Sequence, residues 1–313
     1  MIFDIKEIEK KHISVLLNEL VESIEIFDKK KNVIVDCTLG MGGHASKIID
    51  KMNAGDLFIG FDADIKNLEM AKLRLENILK EKEVEAIFIN SNFGNLKEEL
   101  KKIGIEKITG IYYDLGLSSL HLDEADRGFS FMQDGPLDMR LDKSKGKTAE
   151  EIVNSYKDSE LREIFLKYGE EPQANKISKK IVEQRRKKRI KTTLQLAEIV
   201  GGSPKTKSRI FQAIRIEVNS EINAIEKSIS DAIDILEKGG KIFVISFHSL
   251  EDRAVKQIFK KESRDCICDD LICSCNHKKS LKLLNKKPIL PTQEEITNNK
   301  RSRSAKARFA EKI

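Results

Sequence analysis

Asn32-Val33-Ile34-Val35-Asp36-Cys37-Thr38-Leu39-Gly40-Met41-Gly42-Gly43-His44 is the stretch on which the fold turns. Its first half is a β-branched apolar run that reads as a buried strand. Its second half is a glycine turn opening into the helical pattern of residues 44–52. In an open parallel sheet, a strand that hands over to a helix through glycines is the place for a ligand. The glycines let the backbone approach it, and the helix N-terminus offers unbonded amides. Alone, the same residues could form only a tight turn.

Working outward from this stretch, strand and helix alternate. Residues 57–61 (LFIGF) read as a second strand, followed by a helix over 65–79 with Leu68, Ala71, Leu75 and Ile78 at helical spacing. Residues 86–89 (AIFI) form a third, and 108–113 (ITGIYY) a fourth after a helix around 96–103. This rhythm predicts an α/β fold with a mostly parallel sheet. Asp62 closes the second strand 20 residues beyond Gly42, where a carboxylate can accept both hydroxyls of a ribose. The glycines are followed by His44, Ala45 and Ser46 and so depart from G-x-G-x-x-G, which points to a nucleoside ligand in place of a dinucleotide. Asp64 reads as the N-cap of the next helix.

Past residue 114 the alternation stops. Residues 115–147 form a long loop rich in glycine, aspartate and serine, and loops of that length in compact domains are usually functional. Residues 148–200 then read as helices over 149–155, 159–168, 173–186 and 193–200, with no strand pattern among them. The α/β rhythm returns with one long helix over 207–236, closed by Lys238-Gly239-Gly240. A strand over 241–247 (KIFVISF), a helix over 250–261 and a last strand over 304–310 follow. The expected architecture is one α/β domain, residues 1–122 and 207–313, interrupted by a helical insertion over 123–206.

Composition narrows the class. Of 313 residues, 35% are charged and 40% apolar, enough for a sizeable core under a soluble surface. No apolar run is long enough to span a bilayer, and the start MIFDIKEIEKKHIS lacks the apolar stretch of a signal peptide, so a cytoplasmic protein without membrane partners is expected. The net charge of +6 hides two basic segments, 176–191 and 278–313. Each carries a surplus of eight positive charges, leaving −10 for the remainder. Six of the seven residues 185–191 (RRKKRIK) are basic, beyond what a solvated helix end requires, and Arg185, Arg186 and Arg189 are expected on an RNA backbone.

Of five cysteines, Cys37 stands alone, while Cys266, Cys268, Cys273 and Cys275 crowd into ten residues. Neighbours one apart are poor disulfide partners and plausible thiolate ligands. The C-x-C spacing is not the usual C-x-x-C of zinc sites, so metal ligation and free thiols both stay open and no metal ligand is assigned.

Further segments carry a family resemblance. These are 12–19 (HISVLLNE), the glycine loop, Asp62, 92–95 (NFGN), 114–119 (DLGLSS), 127–131 (RGFSF), 134–140 (DGPLDMR), 168–171 (YGEE), 211–216 (FQAIRI) with Val218-Asn219, and 245–253 (ISFHSLEDR). Together they are highly specific, and the chain resembles the bacterial RsmH (MraW) ribosomal RNA methyltransferases nearly end to end. The resemblance implies a class I (Rossmann-like) methyltransferase sheet with an inserted all-helical domain. It implies S-adenosylmethionine as cofactor and, as substrate, the exocyclic N4 amine of a cytidine in the decoding centre of 16S rRNA, free or in the small subunit. Carried over position by position, Gly42, Gly43 and His44 would meet the methionine portion, Asp62 the ribose, Phe93 the adenine, and Asp114 the amine. The next matching position is His121, where the family usually has Gln after Pro and this chain reads Leu120-His121.

Methyl transfer from a sulfonium mainly requires in-line positioning in a dry site. The cytosine amine is a poor nucleophile, so oxygen acceptors that orient its protons would help, with Asp114 the candidate and Ser118 and Ser119 as assistants. An unstacked cytidine would be received on aromatic or histidine faces, for which Phe129, Phe131 and His248 are candidates. Phenylalanines are more often core, however. Arg140, Arg215 and Arg253 could meet phosphates or brace carboxylates such as Asp138 or Glu251. A non-catalytic RNA-binding or assembly factor on the same fold would bind no cofactor, and a small-molecule methyltransferase would not need the basic insertion. A homodimer is compatible with the sequence.

Overall fold

The computed structural model describes residues 13–118, 121, 123–268 and 274–313. Among them, seven strands form one sheet: β1 (Val33–Asp36), β2 (Leu57–Asp62), β3 (Glu85–Asn90), β4 (Ile108–Asp114), β5 (Leu236–Ser246), β6 (Leu281–Leu283) and β7 (Lys306–Lys312). Their order is β3-β2-β1-β4-β5-β7-β6. The first five run parallel, and β7 is antiparallel to both β5 and β6. This is the mostly parallel α/β sheet expected from the strand–helix alternation, and the class I, Rossmann-like sheet that the resemblance implied.

The strands are apolar on both faces because both are covered. Val35, Ile59, Tyr113 and Val244 face one core with Ile225, Ile229, Val255 and Phe259. Their neighbours Ile34, Phe58, Tyr112 and Phe243 face the other, with Leu20, Ile48, Ile49, Leu68 and Leu75. The second layer comes from α1 (Leu17–Ser23), α2 (Gly43–Lys51) and α3 (Ile65–Lys82). The first comes from α4 (Leu96–Lys102), α10 (Glu221–Ile235) and α11 (Ser249–Glu262). Asp64 caps α3 by accepting from the Lys66 N–H at 3.0 Å.

A second compact unit, Leu117–Glu221, has its own core. It holds α5 (Ala149–Ser155), α6 (Asp158–Lys167), α7 (Ala174–Lys187), α8 (Thr193–Val200) and α9 (Pro204–Asn219). The first unit comprises the chain up to Gly116 and Ile222–Ile313. These boundaries differ from the expected 122/123 and 206/207. The second boundary moves because α9 buries Ile210, Phe211, Ala213 and Ile214 in the helical core. The single helix expected over 207–236 is accordingly two helices, broken at Ser220 with a left-handed φ of 49°. The periodicity is helical on both sides of the break, but the first apolar stripe belongs to the helical core and the second to the sheet. Lys238-Gly239-Gly240 likewise does not end a helix. It lies within β5, where Ile108 faces Leu236 but Gly110 faces Lys241, so the extra residues form a bulge. In the last stretch, α12 (Gln293–Asn298) precedes β7. Among the described residues no helix is long and apolar enough to cross a membrane.

Candidate active site

β1, β2 and β4 each end in an aspartate: Asp36, Asp62 and Asp114. In register, Asp36 lies between Gly60 and Tyr112, so Asp62 and Asp114 each project two residues beyond it on the flanking strands. Three carboxyls thus share the carboxyl edge of the sheet, where open α/β folds bind ligands.

The glycine loop threads through them. The Gly40 N–H donates to Asp62 Oδ2 at 2.8 Å, and the Asp64 N–H donates to Asp62 Oδ1 at 2.7 Å. The Thr38 N–H donates to Asp36 Oδ1 at 2.9 Å, while Thr38 Oγ1 accepts from the Asp114 N–H at 2.6 Å. Gly42, with φ of 76°, is the N-cap of α2, and no side chain blocks the first amides of that helix. A Cβ there would stand 3.3 Å from Leu75, on backbone that side chains rarely adopt. Gly43 begins α2, and His44 follows in its first turn with its imidazole buried. His44 Nε2 lies 2.9 Å from the Val15 carbonyl and must donate to it, which leaves Nδ1 unprotonated in the neutral ring. Nδ1 lies 3.5 Å from Asp114 Oδ2.

Burial sets the electrostatics of this edge. It raises Asp36, Asp62 and Asp114 each to about 7, and Glu251 adds repulsion at Asp114. Burial also lowers His44 to about 4, keeping it neutral. Asp114 Oδ2 faces His44, whereas its Oδ1 is buried with no hydrogen-bond partner among the described residues. A carboxyl that titrates near neutrality with one oxygen uncommitted can accept a hydrogen bond, or a proton, from a ligand amine. Phe93 follows β3 in a short helical turn, where Asn92 Oδ1 accepts from the Gly94 N–H at 2.8 Å. Its half-buried ring meets Tyr113 edge-on at 5.8 Å between centroids. Asp62 and Asp114 therefore end β2 and β4, while Gly42, Gly43, His44 and Phe93 are carried by the loops and first turns that follow β1 and β3. Asp36 and Thr38, which the sequence reading passed over, join them. The only signal for Asp36 was a carboxylate ending an otherwise apolar strand.

A family model described as the MraW methylase family matches residues 9–313. The chain belongs to the MraW methylase family. Relatives named ribosomal RNA small subunit methyltransferase H include one from Clostridioides difficile, 50% identical over 96% of this chain and 99% of its own. Another, from Finegoldia magna, is 44% identical over 97% and 99%. Among solved structures, an rRNA methylase from Streptococcus thermophilus aligns with 100% of this chain and 99% of its own, at 11% identity and a TM-score of 0.43.

In this MraW-family chain the helical unit places the remaining candidates differently from the sequence expectation. Phe129 is buried in the helical core, with His121 at 5.2 Å and the Arg127 guanidinium at 5.8 Å from its ring, so it is not free to stack on a base. His121 is itself buried and belongs to this unit. Arg140 makes a paired contact with Asp138 at 2.7 and 3.0 Å, and Arg215 one with Glu221 at 2.8 and 2.8 Å. Both brace carboxylates. Arg185 is half-buried and donates to the Val153 carbonyl at 2.7 Å, tying the end of α7 to α5. Arg186 and Arg189 are exposed, Arg189 reaching Glu150 at 2.6 Å. In the sheet unit His248 caps α11: its Nδ1 accepts from the Glu251 N–H at 3.4 Å, and its Nε2 lies 2.9 Å from the Glu251 carboxylate. Its role in the structure is to hold a helix start. Arg127, quoted within a motif but given no role, is fully buried and donates to the carbonyls of Arg140 and Leu141 at 3.0 and 3.2 Å. Ser119 and Cys273 lie outside the described residues.

Proposed function

We propose that this chain transfers a methyl group from S-adenosylmethionine to the exocyclic N4 amine of a cytidine in the decoding centre of 16S rRNA. Family membership and 44–50% identity to small-subunit rRNA methyltransferases support an S-adenosylmethionine-dependent rRNA methyltransferase. The choice of an amine acceptor rests on one observation, the uncommitted buried oxygen of Asp114 at the carboxyl end of β4.

The edge fits the cofactor. Asp62 presents a carboxylate beside side-chain-free glycine backbone; besides the Gly40 and Asp64 amides its oxygens accept only long contacts from Asn67 Nδ2, at 3.4 and 3.3 Å, which a ribose hydroxyl can displace. When bound, S-adenosylmethionine supplies an electrophilic methyl on a sulfonium that leaves as a neutral thioether. Asp62 would hold the ribose hydroxyls, Phe93 would lie against the adenine, and Gly42 and Gly43 would let the methionine end approach α2. Asp114 Oδ1 accepts a hydrogen bond from the cytosine amine, turning the nitrogen lone pair out of the ring conjugation and toward the methyl. Its raised pKa suits it to take up the proton that nitrogen sheds as the new bond forms. His44 Nδ1 faces the other oxygen at 3.5 Å and, carrying no proton of its own, gives the carboxylate no hydrogen bond.

Incubation with labelled cofactor and small subunits from cells lacking the activity, followed by nucleotide mapping, tests the reading. One N4-methylated cytidine in the decoding centre is expected. Label on another atom, or none, would overturn it.

A further inference from the structure

The cysteine run plays no part in the methyl transfer proposed above, yet its geometry is specific. Cys266, Cys268 and Cys275 follow α11, in the segment that leads to β6. One sulfur from each lies within 4.8 Å of the others, and all three residues are half-buried. Cys266 and Cys275 sulfurs stand 3.9 Å apart, far beyond the roughly 2.05 Å of a disulfide. A zinc ion at about 2.3 Å from each thiolate in a tetrahedron sets the sulfurs about 3.8 Å apart. An iron–sulfur cluster would spread its thiolates over a larger polyhedron.

We propose that Cys266, Cys268 and Cys275 form a structural zinc site. Each thiol loses its proton to solvent on binding. The surroundings suit thiolates: the Cys268 N–H points at Cys266 Sγ at 3.4 Å, and the Ser274 N–H at Cys268 Sγ at 3.4 Å. Such amide contacts orient ligand sulfurs and spread their charge. The segment is pinned at its base, where the Ser280 N–H donates to the Glu262 carbonyl at 2.8 Å and Ser280 Oγ to Glu262 Oε2 at 2.8 Å. Zinc would clip the excursion above that base and so anchor the start of the basic segment 278–313. Cys273 lies outside the described residues, and the proposal rests on the other three.

Full-length protein grown with zinc and purified under reducing conditions should carry one zinc ion per chain by mass spectrometry. Cys266→Ser and Cys275→Ser should each lose it, while Cys37→Ala keeps it. Since a serine variant that misfolds would also lose metal, the unaltered chain provides a second readout. Stripped and reloaded with cobalt(II), it should show the intense visible bands of tetrahedral cobalt thiolate, and zinc should bleach them. Metal-free purified protein without those cobalt bands would overturn the site, as would full zinc occupancy in the two serine variants.

Discussion

Asp114 illustrates what a single residue gives up for its position. Its carboxyl is raised to about 7 in the fold against an ordinary 3.8, so the folded protein holds a proton there that the unfolded chain has released. Stability from the neutral form is complete below pH 4, declines as pH rises, and is gone above 7. Asp114→Asn removes this titration. It should raise thermal stability at pH 8 by on the order of 1–3 kcal/mol relative to the parent, with little change at pH 4. The same variant should lose turnover by at least about a hundredfold while still binding cofactor, since it lacks the acceptor the amine needs. Unchanged turnover would remove Asp114 from the chemistry. Asp62 titrates in the same range, and ribose hydroxyls favour its charged form. Cofactor affinity measured calorimetrically should therefore weaken as pH falls from 8 to 6, by at most about tenfold per unit below the pKa. In Asp62→Asn that pH dependence should shrink, with affinity reduced by about 2 kcal/mol. A flat profile in the parent would show that the carboxyl is not at the ligand.

At the scale of elements, the loop carrying Arg127 and Gly135 behaves as a built piece of structure. The Met139 N–H donates to the Arg127 carbonyl at 3.0 Å, and the Thr193 N–H to the Gly135 carbonyl at 2.9 Å. Asn219 joins the end of α9 to the loop by donating to the Met139 carbonyl at 2.8 Å and accepting from the Leu141 N–H at 2.9 Å. Gly135 has no room for a side chain, because a Cβ would sit 1.9 Å from the Ala125 carbonyl oxygen. Gly135→Ala should destabilise the helical unit by about 3 kcal/mol or more, read as a lower first transition in denaturant unfolding. Wild-type unfolding in that variant would mean that the loop yields at little cost. Most helix positions and the cores of β1 to β5 were legible from periodicity, whereas α1, β6 and α12 were not read. The α9–α10 break was not, because both helices share one continuous pattern and only their separate cores require the turn at Ser220.

For the whole molecule, charge distribution matters more than net charge. Among the basic residues near the end of α7, Arg186, Lys187, Lys188 and Lys191 are exposed, whereas Arg185 is engaged with a carbonyl. Replacing those four by Gln should flatten the logarithmic salt dependence of rRNA binding by up to about three, at roughly 0.7 per phosphate contact on single strands. Folding should be unaffected. A salt slope equal to the parent's would place RNA elsewhere.

The sequence by itself determined the layered α/β sheet, the helical insertion and the glycine–aspartate edge, because period, strand ends and turn residues are local properties of the chain. It also indicated where positive charge gathers. Which polar side chains stay available was decided only in three dimensions. Phe129, Arg140, Arg215 and His248 all resembled ligand contacts in the sequence, yet each is engaged inside the protein: Phe129 with His121, Arg140 with Asp138, Arg215 with Glu221 and His248 with Glu251. Asp36 became part of the edge, and Asp114 gained its raised pKa, through burial among neighbouring strands. Desolvation depends on what the whole fold brings near a group, which no window of sequence contains; the carboxylates Asp138 and Glu251 do stand in the window, but only the folded backbone decides that Arg140 and His248 engage them.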